Sequence, residues 1–218
     1  MTSRLLSLFL LLLLAAPASA ADVVGPGDTW SADLPAGFAA PPGAGTPRKA
    51  RAWMKGDFSQ GTAELLVVDP MGGTIGREPL DVTTVEDTTR KAIEGSDFRI
   101  TQTEVGVVPW RGHELQAVAV VVESPDESRV TVSTQVPLQP EALNVAITGP
   151  TRMGSQLQAD LRAFVGSIDG PTNWTDDDET PRDEPASAGP GDLLGAGGAA
   201  LLGLVAVGVW FVRKRRDP

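Results

Sequence analysis

The sequence predicts an α+β domain, an α/β/α sandwich whose mostly antiparallel sheet is flanked by helices, followed by one C-terminal transmembrane helix. Three patterns lead to this prediction. Short β-branched stretches between turn residues indicate an antiparallel sheet, and two amphipathic stretches indicate its helices. The uncharged stretch from Leu193 to Val212 is long enough as a helix to cross the ~30 Å core of a bilayer.

The N-terminus is typical of a signal peptide over residues 1–20. Arg4 precedes the apolar stretch Leu5–Ala16, and Ala18 and Ala20 place small residues before a cleavage site. As a helix this apolar stretch is too short to span a bilayer, so we expect a cleaved leader and not an anchor.

The C-terminal part changes character twice. Residues 171–190 combine Asp and Glu with prolines and contain few apolar side chains that could be buried. This composition predicts an extended acidic linker. The transmembrane helix, 191–212, follows it, and the positive-inside rule predicts that the basic tail, 213–218, stays in the cytoplasm. We therefore expect a single-pass type I membrane protein of the cell envelope, with a domain over residues 21–170 outside the cytoplasmic membrane.

The strands of this domain follow a short extended entry, Thr29–Phe38, and a loop rich in glycine and proline. Apolar residues, alternating or continuous, lie between turn residues and predict strands over Ala50–Lys55, Thr62–Asp69, Arg99–Val108, Arg111–Glu123, Arg129–Val136 and Ala142–Thr148. The alternation in the stretch from Arg129 favours an antiparallel sheet with one covered face.

Two helices complete the domain. Thr83 and Glu86 form a capping-box pattern that begins a helix over Thr83–Glu94, and Gly95 ends it. The second helix has the clearest helical period, with an apolar stripe made of Met153, Leu157, Leu161, Phe164, Val165 and Ile168. Its opposite, polar side carries Gln156, Gln158, Asp160 and Arg162.

The opening stretch Trp30–Phe38, of the form Trp-x-x-x-Leu-Pro-x-Gly-Phe, and the helix end Phe164–Ile168 resemble the Mog1/PsbP-like α/β/α sandwich family. The resemblance covers about residues 28–168. The family includes the PsbP proteins of the oxygen-evolving complex, exported bacterial lipoproteins and a Ran-binding protein. The resemblance implies an accessory or binding module without catalytic residues, although this chain lacks the lipidated cysteine of the exported lipoproteins.

Composition excludes several classes of function. The chain has no cysteine, which rules out disulfides and Cys-based metal sites, and its single histidine, His113, rules out a site with two His ligands. The net charge of -10 disfavours nucleic-acid binding, which requires a cationic surface. No motif for catalysis, metal binding or cofactor binding occurs in the sequence, so we expect no catalytic residue, no metal and no cofactor.

One candidate recognition surface consists of Trp110, Arg111 and His113, which lie at a tight turn between two predicted strands. An aromatic residue next to an arginine is typical of contact surfaces. The alternative is that the tryptophan packs down into the domain.

A second candidate contact lies in the predicted membrane helix. Small residues recur there every four positions, at Gly191, Gly195, Ala199 and Gly203. Such a stripe lets two membrane helices approach closely and would support a homodimer.

The leading interpretation is a non-enzymatic binding or accessory module, anchored in the membrane, that contacts another protein of the envelope. Two alternatives stay open. One is a hydrolase that uses carboxylates in the sandwich cleft, and the other is a precursor whose C-terminal helix is a processed sorting signal. A pocket with converging acids would favour the enzyme, whereas an exposed sheet edge would favour the binding module.

Overall fold

A computed structural model describes residues 22–41, 51–57 and 60–174 of the chain. Within these residues no helix combines the length and apolarity needed to cross a membrane. Several predictions lie outside the described residues: the signal peptide, the membrane helix with Gly191, Gly195, Ala199 and Gly203, the basic tail, and the linker beyond Trp174.

The domain is built on an antiparallel sheet with 6 strands in the order β3-β4-β8-β7-β6-β5. Its strands are β3 (Ala52–Lys55), β4 (Glu64–Pro70), β5 (Arg99–Trp110), β6 (His113–Glu123), β7 (Ser128–Val136) and β8 (Leu143–Pro150). Each predicted strand is present, with its ends displaced by a few residues. The central strand β8 is buried along its whole length, which explains why most of its side chains are small or apolar.

A separate two-stranded ribbon precedes the sheet. Its strands are β1 (Asp22–Val24) and β2 (Ser31–Asp33), which pair antiparallel. The extended entry predicted both its second strand and the turn that follows. The strand β1 was not predicted, because 3 residues are too few to show an alternation.

The second helix, α2 (Gly154–Ser167), covers one face of the sheet and contacts β8, β5, β2 and β7. Its predicted apolar stripe is confirmed, since Leu157, Leu161, Phe164 and Val165 are fully buried. Gly149 on β8 makes this close packing possible, because a Cβ atom there would lie 2.9 Å from Cδ2 of Leu157.

The first helix, α1 (Val82–Ala92), packs on the opposite face against β5 and β6. Its apolar side joins the strand residues Val118, Val120 and Val122. The predicted capping role of Thr83 is wrong. Asp81 caps the helix instead, because its carboxylate accepts hydrogen bonds from Thr83 N at 3.0 Å and from Thr84 Oγ1 at 2.5 Å.

Asp81→Ala is expected to lower the melting temperature of the chain, and Asp81→Asn to lower it less, because asparagine is also a good cap. The hydrogen bonds from Thr84 and Thr83 hold the pKa of the Asp81 carboxyl below its ordinary value of 3.8. The stabilisation is therefore present above pH 3.8 and is lost as the pH falls through the lower folded pKa. Thermal unfolding followed by circular dichroism at pH 7 and at acidic pH measures both effects. Equal losses for the two variants at pH 7 would contradict the capping role.

The domain extends past residue 170, the predicted boundary. Residues 169–174, called the C-terminal strap below, pack along the loop that follows β7 and along the β5–β6 hairpin. Gln139 N donates to Pro171 O at 2.9 Å, and Thr172 Oγ1 donates to Pro137 O at 2.5 Å. Pro171–Trp174 therefore belongs to the folded domain and not to the predicted linker.

Candidate functional site

The predicted recognition surface lies at the β5–β6 hairpin, where Arg111 and Gly112 form a two-residue turn. Both have positive φ, 48° and 82°, which is the geometry of tight turns between antiparallel strands. Trp110 precedes the turn, but it is only 1% exposed, and its Nε1 donates to Ile168 O at 3.1 Å. Trp110 therefore packs down into the domain, and its ring is not part of an exposed contact surface.

Arg111 and His113 are more accessible, and both contact the C-terminal strap or the residues beneath it. The Arg111 guanidinium lies 4.9 Å from the ring centroid of Trp110, donates to Gly170 O at 2.7 Å and forms an ion pair with Asp169. The His113 ring meets the Trp174 ring edge-on, with centroids 5.6 Å apart. The structure thus brings all three predicted residues together, and recognition by Arg111 and His113 stays a prediction.

Trp174 is the member of this group that the sequence analysis missed. Its Nε1 donates to Ile75 O at 3.3 Å, and the guanidinium carbon of Arg77 lies 5.4 Å from its ring centroid. Asn173 Nδ2 donates to the same carbonyl at 3.1 Å. A large apolar residue at the start of an otherwise acidic stretch is the signal that could have placed the domain boundary four residues later.

The outer edge of β5 is a second candidate site. Within the described residues, β5 pairs only with β6 and lies at the end of the sheet. The opposite edge strand, β3, is only 4 residues long and is bridged by Ala39 at Met54. The β5 edge is therefore the longer of the two and the one that a partner strand could use.

The register of the hairpin determines which backbone groups face outward. In a two-residue hairpin the closing pair, here Trp110 and His113, is hydrogen-bonded, and the bonded pairs then alternate along the strands. Thr103, Val105 and Val107 occupy the positions of β5 that lie between the hydrogen-bonded pairs. Their N–H and C=O groups therefore point away from β6, toward the outer edge.

Two kinds of apolar surface flank this edge. Val105 and Val107 are 55% and 49% exposed, and they face away from α2. On the α2 side, Gly106 lies in a groove of about 120 Å³ between β5 and the helix. Its floor includes Ala117 and Leu161. Exposed valines on an edge strand are a feature that soluble proteins usually avoid.

A buried charge cluster lies between β3, β4 and α2. Lys55 Nζ donates to Asp160 Oδ2 at 2.7 Å and lies 3.6 Å from Glu64 Oε1. Gln156 Nε2 donates to the other carboxylate oxygen of Asp160 at 2.9 Å. The prediction that Asp160 lies on the polar, outer side of α2 is wrong, because the residue is 9% exposed and faces Lys55.

Glu64 is the most strongly constrained member of the cluster. It is 1% exposed, and its Oε2 has no hydrogen-bond partner among the described residues. Burial raises the pKa of Glu64, the Lys55 charge opposes this, and Asp160 adds to it, so the net pKa is above the ordinary value. Such a carboxyl is a feature of general acids as well as of structural ion pairs.

Glu64→Gln is expected to make the chain more stable than wild type at pH 7, because the ionised carboxylate is disfavoured in the folded state. The folded pKa lies above the ordinary value of 4.5, so the folded chain binds a proton before the unfolded chain does as the pH falls. Wild type therefore gains on the variant between neutral pH and about 4.5. Urea unfolding of both proteins across this range measures the difference. A wild-type advantage that grows with rising pH would contradict this sign.

An open cleft of about 740 Å³ lies at the end of α1 and the start of β5. Cations and acids both line it, among them Arg90, Lys91, Arg99 and Glu94, and its apolar floor includes Phe98. In the part of the chain that the structure describes, no three His, Asp or Glu side chains come together as metal ligands. Neither this cleft nor the groove at Gly106 is lined by the charge cluster.

No family model matches the chain, and no curated protein matches it. Distant likenesses occur among solved structures. A crystal structure from Bacteroides thetaiotaomicron VPI-5482 has a TM-score of 0.41 and 8% identity over 71% of this chain, which spans 50% of that protein. Cyanobacterial PsbP (CyanoP) from Synechocystis sp. PCC 6803 has a TM-score of 0.46 and 10% identity over 72% of this chain and 95% of its own.

LpqN, described as involved in cell envelope biogenesis of Mycobacterium tuberculosis, has a TM-score of 0.39 and 9% identity over 64% of this chain and 81% of its own. At TM-scores below 0.5, these likenesses are too distant to assign a family or a function.

Proposed function

We propose that the chain is a non-catalytic binding module of the cell envelope, anchored by its C-terminal helix, that contacts an envelope protein through the outer edge of β5. The observation that carries this proposal is the free edge with its two exposed valines, 55% and 49% accessible. An edge of this kind presents unpaired backbone groups that bind extended segments of other proteins.

The location rests on the two apolar ends of the sequence. A leader cleaved after Ala20 would export the domain, and a helix over 191–212 followed by four cations would hold it at the membrane. N-terminal sequencing, the intact mass of the mature protein and protease accessibility in whole cells test this together. A mature protein that begins at Met1, or a domain protected from added protease, would contradict export.

The contact surface is tested by a photo-crosslinking amino acid placed at Val107 in the full-length protein in its native membrane. The matched control carries the same amino acid at Gln60, which is exposed in the connection between β3 and β4, at the opposite side of the sheet. We expect a discrete adduct from position 107 only. Equal adducts from both positions, or none from position 107, would contradict the proposal.

A second candidate is a hydrolase that uses the charge cluster, because Glu64 is a buried carboxyl with a raised pKa close to Asp160. In this case Glu64 would act as the general acid. Turnover of glycoside, ester or amide substrates that disappears in Glu64→Gln would support it. Absence of turnover in wild type across these substrate classes would leave the binding module as the better account.

Homodimerisation through the small-xxx-small stripe belongs to the proposal as well. Gly195→Ile and Gly203→Ile would separate two packed helices, because a branched side chain replaces the close backbone contact. We expect both variants to reduce crosslinking between copies in membranes. Unchanged self-association in both would contradict this contact.

A further inference from the structure

The usable part of the β5 edge is bounded at both ends. Pro109 lacks the N–H that a neighbouring strand would need, and the register shift between Ile100 and Gln102 interrupts the ladder at the other end. Between these limits, the backbone of Thr103, Val105 and Val107 points outward in regular alternation. This stretch supplies the donors and acceptors that an added strand requires.

An added strand would meet apolar surface on both of its faces. Side chains on one face would lie beside Val105 and Val107, and those on the other face would lie over the groove at Gly106. The groove volume, about 120 Å³, is slightly smaller than a cavity of roughly 150 Å³ that holds benzene. It therefore accommodates one aliphatic side chain, since Gly106 has no side chain of its own to occupy the space.

The rim of the groove carries two charged side chains of opposite sign, Glu104 and Arg162. Glu104 accepts a hydrogen bond from Gln102 Nε2 at 2.6 Å. Arg162, on the same rim, is exposed and makes no hydrogen bond or ion pair with the described residues. A carboxylate two residues from the inserted aliphatic side chain would lie on the same face of the added strand and would complement this guanidinium.

A second copy of the chain does not satisfy these features. Antiparallel pairing of two β5 strands about a two-fold axis at position 105, 106 or 107 would place Glu104, Gly106 or Val108 of the second copy opposite the groove. An acid does not suit the apolar floor, a glycine leaves the groove empty, and Val108 is already buried in its own core.

We infer that the outer edge of β5 binds an extended segment of a partner protein as an added β-strand. One aliphatic side chain of the segment lies in the groove at Gly106, and a carboxylate of the segment lies at Arg162. This assignment rests on the proposed function. The segment is apolar on both faces over the stretch that pairs with Thr103–Val108. Backbone hydrogen bonds supply the affinity, and the groove and the guanidinium supply the specificity.

The test begins with a selection of random decapeptides displayed on phage against the full chain in lipid nanodiscs. We expect enriched sequences with a continuous apolar stretch that one acidic residue interrupts. The probe for the following steps is a synthetic peptide of the enriched sequence. Selection of no sequence, or of polar or basic sequences, would overturn the assignment.

Gly106→Leu then fills the groove from within, and Gly166→Leu on α2 is its matched control. An added Cβ meets no atom within 4 Å at either position, so neither variant is expected to disturb the fold. We expect Gly106→Leu to weaken binding of the synthetic peptide by at least about tenfold and Gly166→Leu to leave it unchanged. Equal binding to both variants would overturn the role of the groove.

Hydrogen exchange locates the peptide independently of these variants. Bound peptide is expected to slow exchange at the amides of Thr103, Val105 and Val107, and protection confined to other elements would overturn strand addition. A dimer in sedimentation velocity that Val107→Lys abolishes would show that a second copy occupies the edge. If crosslinks from position 107 persist in cells while the selection fails, the partner chemistry is wrong and the binding function stands. If the crosslinks fail as well, both are wrong.

Discussion

Lys55→Met is expected to destabilise the domain by about 3 kcal/mol, because it removes one partner of a largely buried ion pair. This value is at the low end for such a loss, since the Lys55 side chain is 25% exposed. Methionine keeps most of the apolar stem, which lies near Gly37, and removes the ammonium together with its contact to the Phe38 ring. The carboxylates of Glu64 and Asp160 then face each other without a cation. Urea unfolding of the full chain in detergent, followed by tryptophan fluorescence, measures the loss.

The pH dependence of this loss has a defined sign. Burial alone would lower the pKa of Lys55, but the hydrogen bond to Asp160 and the charges of Glu64 and Asp160 raise it above the ordinary value of 10.5. The stabilisation is therefore present at all pH values below 10.5 at which the acids are ionised, and it disappears as the pH rises through the folded pKa. It also shrinks in acid, because the carboxyls become protonated.

Two controls separate the cluster from a general effect of lysine loss. Lys91→Met, at an exposed position of α1, is expected to change stability by less than about 0.5 kcal/mol. The double variant Lys55→Met with Glu64→Gln should recover part of the loss, because one of the two unpaired carboxylates is gone. A loss in Lys55→Met no greater than in Lys91→Met would refute the structural role of the cluster.

Trp110→Ala is expected to destabilise the domain by about 3–5 kcal/mol, because it leaves a cavity beneath the hairpin. The ring is 1% exposed, and its Nε1 is bonded to Ile168 O, at the point where α2 meets the C-terminal strap. Trp110→Phe keeps most of the ring but leaves that carbonyl without its donor, so a smaller loss of about 1–3 kcal/mol is expected.

Arg111→Ala is the matched control for the hairpin, since Arg111 is exposed and its contacts with Asp169 lie at the surface. Its expected loss is within about 1 kcal/mol. Thermal and urea unfolding of the three variants give this order directly. A Trp110→Ala protein as stable as wild type would contradict the packing role of the ring.

Local periodicity predicted the elements well, because the apolar side of a helix or strand can be recognised from the spacing of residues within that one segment. The stripe of Leu157, Leu161 and Phe164 is readable from its spacing, and it is buried as predicted. The cap of α1 shows the limit of such patterns. Thr83 and Asp81 are both good capping residues two positions apart, and the backbone at Asp81, with extended φ and ψ, decides between them.

The candidate sites were harder to predict because each depends on contacts between residues far apart in sequence. Lys55, Glu64 and Asp160 come together only because β3 pairs with β4 and the Lys55 ammonium reaches Asp160 of α2. Glu64 in a strand and Asp160 on the apparent polar side of a helix carry no local signal of burial. Trp110 is similar, since its carbonyl partner at Ile168 is 58 residues away.

By itself, the sequence determined the order and type of the elements, the stripe of α2, and the expectation of an exported, membrane-anchored chain, because each depends on the composition or period of one continuous segment. The tertiary structure alone decided that β8 lies between β4 and β7, that β5 is left at the edge with Val105 and Val107 exposed, and that Trp110 lies beneath the hairpin. The physical reason is that strand order and burial are set by how all the apolar faces pack together, and the period of a single strand does not record which neighbour it will have.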